Sequence, residues 1–311
     1  MSEVPAVSVE GLMKRFRTTI AIDDIGFTVR PGELFGLVGP DGAGKTTTLR
    51  VLAGVLPPTG GDASIRGISV ARDPERVKHE IGYMSQRFGL YADLTVLENL
   101  MFYADLYQVP RAERPARLKR LFHFSNLEPF RDRLAGKLSG GMKQKLGLSC
   151  ALIHEPKVLL LDEPTFGVDP ISRRDLWLIV HEMVARGVTV VVSTSYLDEA
   201  ERFDRLALLH RGRVLEIGSP ADLLGRFSSE LLEIRVDRVR EARQRALEVP
   251  RVEGVAVFGG VLHVAVPSAV EDGPVLVSAL RRAGFSVESS EPISPSLEDV
   301  FIEAVSRAEN G

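Results

Sequence analysis

The stretch Glu33–Ala53, ELFGLVGPDGAGKTTTLRVLA, decides the fold. Its first part, Glu33–Val38, is apolar and is typical of a buried strand. The strand runs into the Gly-rich loop Gly39–Gly44, and a helical segment, Lys45–Ala53, follows. Glycines let backbone N–H groups curl around phosphate, and the helix directs the positive end of its dipole at the anion. The stretch therefore predicts a phosphate-binding loop in an α/β domain.

This loop matches the pattern G-x-x-x-x-G-K-[ST], in which the last two positions have defined chemistry. Lys45 can reach the β- and γ-phosphates, and the Thr46 hydroxyl can ligate Mg²⁺. The predicted nucleotide contacts are Gly39, Pro40, Asp41, Gly42, Ala43, Gly44, Lys45, Thr46 and Thr47. An ordinary Gly-rich turn is the alternative, and the strand–loop–helix context argues against it.

Two acids follow a second apolar strand, Val158–Leu161. Asp162 stands where it can hold Mg²⁺ through water, and Glu163 where it can orient or deprotonate the attacking water. An acidic exit from a buried strand is common by itself. In combination with the phosphate-binding loop, it indicates a nucleoside triphosphatase.

A second glycine turn, Ser139-Gly140-Gly141-Met142, opens a helix upstream of these acids. Backbone N–H groups and a hydroxyl at a helix start can bind an anion, although Ser139 is also an ordinary N-cap residue. A single-site hydrolase has no use for a second phosphate-binding helix start. The turn makes sense where two subunits hold ATP between the loop of one and the Ser-Gly-Gly turn of the other.

With these motifs the sequence resembles the ABC transporter ATPase family over about Val7 to Leu224. The family's remaining motifs follow in its order and imply further roles. The resemblance implies Gln86 as a magnesium and catalytic contact, Asp169 as a nucleotide contact and Phe16 as the adenine-stacking aromatic. A core phenylalanine is the alternative for Phe16.

The sequence departs from the family at the switch position, where Ser195 replaces the usual histidine, and at Asp41, which replaces asparagine. Serine is shorter and cannot carry the charge of an imidazole. Both spellings resemble the first ATP-binding half of exporter ATPases that join two halves in one chain. The resemblance therefore implies a second ATPase subunit, in a homodimer or a heterodimer. It leaves open a binding-only or weakly active subunit beside a catalytically complete partner.

Length and composition indicate the number of domains and their extent. The 311 residues suggest about two domains at roughly 150 residues each. We predict a nucleotide-binding domain over residues 1–225 with an antiparallel β edge and a helical subdomain over about 95–147, then a small α+β domain over 226–311. Helices are predicted at Asp198–Phe203 and Val275–Ala283, and one strand at Ala63–Val70.

The net charge of −3 gives no reason to expect nucleic-acid binding. Cys150 is the only cysteine, which fits a reducing compartment. No stretch reaches the ~20 apolar residues of a transmembrane helix, so transport requires a separate membrane-spanning permease.

The segment Pro295–Phe301 resembles ABC-2-type, drug-efflux-like exporter ATPases. This resemblance implies an ATP-hydrolysing subunit at the cytoplasmic face of the membrane, docked to its permease through Arg87–Asp93 and the helical subdomain. A soluble ABC ATPase that acts on DNA or ribosomes is the alternative. Such relatives usually carry a long coiled coil or two ATPase cores.

Overall fold

The computed structural model describes residues 4–86 and 89–310. The chain divides into two compact units between Ile217 and Gly218, whereas the sequence prediction divides it after Gly225. The difference is one short helix, Pro220–Gly225, whose first turn is capped by Ser219 and which lies in the second unit. Among the described residues, no helix is both long and apolar enough to span a bilayer.

The strands of the first unit form an antiparallel sheet and a mainly parallel sheet, as predicted. The antiparallel sheet has the order β2-β1-β4-β5 and the parallel sheet the order β10-β9-β3-β8-β7-β6. These strands are β1 (Val7–Phe16), β2 (Thr19–Val29), β3 (Leu34–Val38), β4 (Gly60–Ile65), β5 (Ile68–Ser69), β6 (Ile81–Met84), β7 (Val158–Asp162), β8 (Thr189–Thr194), β9 (Arg205–His210) and β10 (Arg213–Gly218). Residues of both sheets share one buried apolar core, in which Phe27 stacks on Phe35 at 5.2 Å.

The helices of the first unit connect and cover these strands. They are α1 (Lys45–Leu52), α2 (Pro74–Glu80), α3 (Val96–Leu106), α4 (Arg114–Ser125), α5 (Gly140–Leu152) and α6 (Pro170–Ala185). Helices α3 and α4 both contact α5, and both lie within the stretch predicted as a helical subdomain. The N-terminus of α3 is fixed by a reciprocal capping box between Thr95 and Glu98.

Parallel pairing brings three functional segments to one edge of the sheet. Strand β3 lies beside β8, and β8 lies beside β7, all in the same direction. In this register Val38 faces Thr194, and Asp162 faces Ser193. The phosphate-binding loop, the two acids and the switch segment therefore begin side by side at the carboxyl edge, where α/β sheets bind their ligands.

The second unit contains a four-stranded antiparallel sheet in the order β12-β13-β11-β14. Its elements are α7 (Pro220–Gly225), β11 (Glu230–Val236), α8 (Val239–Leu247), β12 (Gly254–Phe258), β13 (Val261–Val266), α9 (Ala269–Arg282), β14 (Val287–Ile293) and α10 (Leu297–Asn310). From β11 to β14 this is the βαββαβ order that the sequence predicts, with the strand arrangement of a ferredoxin-like unit. The unit has its own apolar core.

Three predicted elements differ from the structure. The strand predicted at Ala63–Val70 is a hairpin of β4 and β5, because Arg66 and Gly67 both adopt positive φ. The helix predicted at Asp198–Phe203 is a 3-10 helix over Leu197–Arg202. Helix α9 begins six residues before the predicted Val275, because Ser268 caps it and the buried Leu276 and Leu280 hold it against the core despite Pro274.

Candidate functional site

The phosphate-binding loop has a backbone path that only glycine allows at two points. A Cβ on Gly39 would lie 2.2 Å from the Leu209 carbonyl oxygen, and one on Gly44 would lie 2.6 Å from the Ala21 carbonyl oxygen. Gly44 also has φ of 102°, a left-handed conformation. It precedes α1 without any side-chain cap, so the first amide groups of this helix remain available to an anion.

Lys45 lies at the centre of this loop and is almost fully buried, with 4% of its surface exposed. Its ammonium donates to the carbonyl oxygens of Gly39 at 2.7 Å and Pro40 at 3.1 Å. It also forms an ion pair with the Glu163 carboxylate at 3.2 Å. A buried positive charge is thus held at the mouth of α1, with a carboxylate in the position of a counterion.

Of the other predicted loop residues, Pro40, Asp41 and Gly42 are exposed, whereas Ala43 is buried. Thr47 lies half-buried in the first turn of α1.

Asp162 accepts two hydrogen bonds on one oxygen and none on the other. Its Oδ1 accepts from the Thr46 hydroxyl at 2.9 Å and from the Ser193 hydroxyl at 2.7 Å. Its Oδ2 is buried and has no hydrogen-bond partner in the described part of the chain. A buried carboxylate oxygen without a partner is costly unless a ligand or water satisfies it.

The side chains predicted to hold a metal suit a hard divalent cation. Asp162, Thr46 and the amide of Gln86 are oxygen donors of the kind that Mg²⁺ takes. Residues 4–86 and 89–310 contain no cluster of three or more histidine, cysteine or acidic side chains that could hold a metal alone. Mg²⁺ does not need such a cluster, since it is usually held by one or two carboxylates together with substrate phosphates and water.

Glu163 is fixed from several sides. Its backbone has φ of 47°, which is unusual for a residue with a Cβ. The backbone N–H donates to the hydroxyl of Ser193 at 3.0 Å and to the Ser193 carbonyl at 3.1 Å. One carboxylate oxygen faces Lys45 and the other accepts from Gln86 Nε2 at 3.1 Å. The structure therefore brings Gln86, Lys45 and both acids into one contiguous cluster.

The Ser-Gly-Gly turn lies in a second cluster, against the start of α6. Ser139 caps α5 by accepting from the Met142 amide at 3.3 Å. A Cβ on Gly141 would lie 2.2 Å from the Ser172 Oγ of α6. Asp169 caps α6, and the backbone hydrogen bond from Ser172 lowers the pKa of its carboxyl. Ser139 and Gly140 are exposed. In the described residues, no hydrogen bond joins this cluster to the phosphate-binding loop.

Phe16 and Ser195 take separate positions. Phe16 ends β1 with 46% of its surface exposed, so it is not a core residue, and the Lys14 ammonium lies 5.1 Å from its ring. Ser195 is half-buried directly after β8. The switch segment around it is held by the buried Glu199, which accepts from the Thr194 hydroxyl at 2.8 Å and from the Trp177 indole at 3.2 Å.

Ser193 belongs to the site, and the sequence analysis does not single it out. Its hydroxyl contacts both acids, although it lies some thirty residues further along the chain. The available signal is its place at the end of a strand that neighbours the acidic strand in a parallel sheet. Arg87, the first residue of the predicted docking segment, and the residue after it lie outside the described residues.

Comparisons with known proteins agree with this geometry. Residues 22–166 match the ABC transporter family, and residues 218–305 match the C-terminal domain of DrrA1-3-like ATP-binding proteins. The probable multidrug ABC transporter ATP-binding protein YbhF of Escherichia coli is 43% identical over 97% of this chain, which spans 52% of that relative's length.

Other relatives match over most of their length. The daunorubicin/doxorubicin resistance ATP-binding protein DrrA of Streptomyces peucetius is 33% identical, over 96% of this chain and 91% of DrrA. A solved dimeric ATP-binding cassette, MJ0796 with ADP and Pi in a post-hydrolysis state, superposes with a TM-score of 0.63 at 26% identity, over 68% of this chain and 98% of the cassette. The chain therefore belongs to the ABC transporter ATPases, the family of ATP-binding proteins whose members include these multidrug-transporter and drug-resistance relatives.

Proposed function

We propose that this chain binds Mg·ATP at the carboxyl edge of its parallel sheet and hydrolyses it to drive an ABC-type exporter. The observation that carries the proposal is the buried cluster of Lys45, Asp162 and Glu163 at the mouth of α1. A buried cation, two acids and free helix amides at one sheet edge are the parts that phosphoryl transfer requires.

When ATP binds, its phosphates would replace the Glu163 carboxylate as the partner of Lys45. Lys45 is paired with Glu163 in this structure, and the ATP phosphates would take the place of that carboxylate. The exchange leaves Lys45 neutralised and releases Glu163 to face a water molecule. Phe16, exposed at the end of β1, would stack on the adenine ring.

Each acid would then have its own task. Glu163 would accept a proton from the attacking water or orient it, with Gln86 as its hydrogen-bonded neighbour. Asp162, Thr46 and Gln86 would hold Mg²⁺, and the partnerless Oδ2 of Asp162 is the oxygen that supports this assignment. When bound, Mg²⁺ neutralises charge that develops on the phosphate oxygens.

A second ATPase subunit completes the proposal. The Ser139-Gly140-Gly141 turn, whose first two residues are exposed, would contact ATP held by the partner's phosphate-binding loop, together with Met142 and Asp169 beside it. The dimeric cassette that resembles this chain supports such an arrangement. ATP binding would close the pair and hydrolysis would open it, whether the partner is a second copy or a different chain.

The relatives' names support a membrane partner. Because drug-resistance and multidrug ABC transporter proteins are its relatives, we assign the chain to the cytoplasmic face of a membrane beside a separate permease. The helical stretch of α3 and α4 would form its docking surface. The first unit would act as the nucleotide-binding domain and the second as an accessory domain.

Ser195 favours one further candidate, a subunit that binds ATP but turns it over weakly beside a complete partner. A single-turnover assay of [γ-³²P]ATP hydrolysis on the purified chain separates the two. We expect measurable hydrolysis that Glu163→Gln slows by about 10²–10³, which lies within the usual range for a positioned base, while ATP binding stays intact. Equal turnover in wild type and Glu163→Gln would contradict a catalytic role for this glutamate. Binding without any hydrolysis would favour the weakly active subunit.

A further inference from the structure

Ser193 connects the two acids of the site through one side chain. It is fully buried at the end of β8 and faces Asp162 in the parallel register. Its hydroxyl lies 2.7 Å from Asp162 Oδ1 and 3.0 Å from the backbone nitrogen of Glu163.

The chemistry of these groups fixes the direction of each hydrogen bond. A backbone N–H can only donate, so the Ser193 oxygen must accept from Glu163. The single hydroxyl proton is then available for Asp162, whose ionised carboxylate can only accept. The Ser193 hydroxyl therefore shares the N–H of the left-handed Glu163 with the Ser193 carbonyl oxygen, and it donates to Asp162 Oδ1, which leaves Oδ2 open.

Thr46 is the other donor to the same Asp162 oxygen. In the proposed function the Thr46 hydroxyl turns to the cation. Ser193 is then the donor that remains on Asp162 among the contacts of the described residues. The orientation of this carboxylate toward the cation depends on Ser193 at the moment when the site is loaded.

We propose that Ser193 is a positioning residue for ATP hydrolysis, which sets the orientation of Asp162 toward Mg²⁺ and the backbone of Glu163 toward the attacking water. This inference rests on the proposed function. It assigns Ser193 no contact with ATP. Loss of the Ser193 hydroxyl should reduce the gain in ATP affinity that Mg²⁺ provides, here called magnesium coupling, and should lower the turnover rate. It should leave ATP affinity in the absence of Mg²⁺ unchanged.

The test compares Ser193→Ala with Ser193→Thr, which keeps the hydroxyl, and with Ser149→Ala as a matched control. Ser149 is also a buried serine, but its hydroxyl donates to the Lys145 carbonyl within α5, away from both acids. The readouts are ATP affinity by calorimetry with EDTA and with Mg²⁺, kcat, and the urea midpoint of each variant.

We expect Ser193→Ala to bind ATP normally in EDTA, to lose most of the gain in affinity that Mg²⁺ gives the wild type, and to lower kcat about ten- to a hundredfold. That range is the scale of one hydrogen bond to a charged group. Ser193→Thr should restore both properties, and Ser149→Ala should change neither.

A Ser193→Ala protein that loses stability like Ser149→Ala but keeps wild-type magnesium coupling and kcat would overturn the inference. Failure of Ser193→Thr to restore the magnesium gain in a folded protein would do the same. A wild-type chain that binds no ATP even with Mg²⁺ would instead refute the proposed function, and the role of Ser193 would fall with it.

Discussion

Helices α1 and α5 both begin at glycine turns, but their first turns are built differently. The start of α1 has no side-chain cap and opens into a buried cluster that contains Lys45 and Glu163. The start of α5 is capped by its own Ser139 and lies at the surface. The turn before α1 can bind an anion with groups of this chain alone, whereas the turn before α5 presents its groups at the surface.

This difference fits the proposed arrangement, in which two subunits contribute different groups to one ATP site. A phosphate that binds at α1 finds a buried cation and two acids already in place. A phosphate at α5 finds the Ser139 hydroxyl and backbone amides. The cation and the acids would have to come from the subunit that holds the ATP. The α1 turn therefore carries the groups of half a site, and in the proposed dimer the α5 turn would contribute to a site in the other subunit.

The largest expected effect concerns the switch position of the α1 site. Ser195→His should raise steady-state ATP turnover of the isolated chain by up to ~10²–10³, because one preorganised transition-state contact is typically worth that much. Ser195→Ala is the control and should remain as slow as the wild type. Phosphate release measured at saturating Mg·ATP gives the rates. If the wild type is already as fast as Ser195→His, Ser195 is a neutral replacement and the argument for an asymmetric partner is lost.

The next effect concerns the cation at α1. Lys45→Ala should weaken ATP binding by about 2 kcal/mol or more, which is roughly thirtyfold, because a buried charge-assisted contact disappears. Calorimetric titration with Mg·ATP measures it.

Removal of Lys45 also leaves Glu163 buried without its cation, which can destabilise the protein by about 3–5 kcal/mol. The matched comparison is therefore Glu163→Gln against Lys45→Ala/Glu163→Gln, in which no unpaired carboxylate remains. Lys78→Ala, which removes a surface lysine paired with Glu75, serves as the control. Unchanged ATP affinity in the folded double variant would show that α1 binds phosphate without Lys45.

The sequence predicts the parts of the site that are contiguous in the chain. A few adjacent residues are enough to predict each of three parts: the loop before α1, the acids at the end of β7 and the turn before α5. Alternation of strands and helices then predicts a parallel sheet, and a parallel sheet brings the carboxyl ends of β3, β7 and β8 together.

Contacts across the sheet are beyond that reasoning. Ser193 meets Asp162 because β7 and β8 pair in one particular register, and a strand sequence alone does not specify which residue faces which. The pairing of Lys45 with Glu163 also depends on tertiary placement. The predicted α9 is too short: Pro274 disfavours a helix locally, whereas burial of Leu276 and Leu280 decides the outcome.

A smaller effect tests the α5 turn. Ser139→Ala should leave ATP binding by the isolated chain unchanged and weaken ATP-dependent dimerisation by about tenfold, the lower end of the range for one hydrogen bond to a charged group. Sedimentation velocity in the Glu163→Gln background, with Mg·ATP, measures the dimer. Ser268→Ala removes an equivalent cap, from α9, and is the control for the ~1 kcal/mol that loss of a cap costs. Equal dimerisation in both variants would remove Ser139 from the subunit interface.

The smallest effect tests how α5 is held at its other end, where His154 follows the helix. The ring is stacked on Tyr107 at 3.8 Å and its Nε2 donates to the Ile81 carbonyl at 2.9 Å. Burial lowers the pKa of His154 to about 4, from an ordinary 6.5. The folded protein therefore keeps this ring neutral at pH values where the unfolded chain is protonated, so the ring's contribution to stability falls as pH drops from about 6.5 toward 4. Between pH 7 and pH 6 the loss amounts to about 0.7 kcal/mol.

His154→Gln retains a donor for the Ile81 carbonyl but does not titrate, so its urea midpoint should fall less over this interval than that of the wild type. The exposed His123 provides the control, because His123→Gln should follow the wild-type pH dependence. If His154→Gln also follows it, then α5 is not held by a neutral imidazole, and the outward-facing Ser139 turn must be supported by the apolar packing of α5 alone.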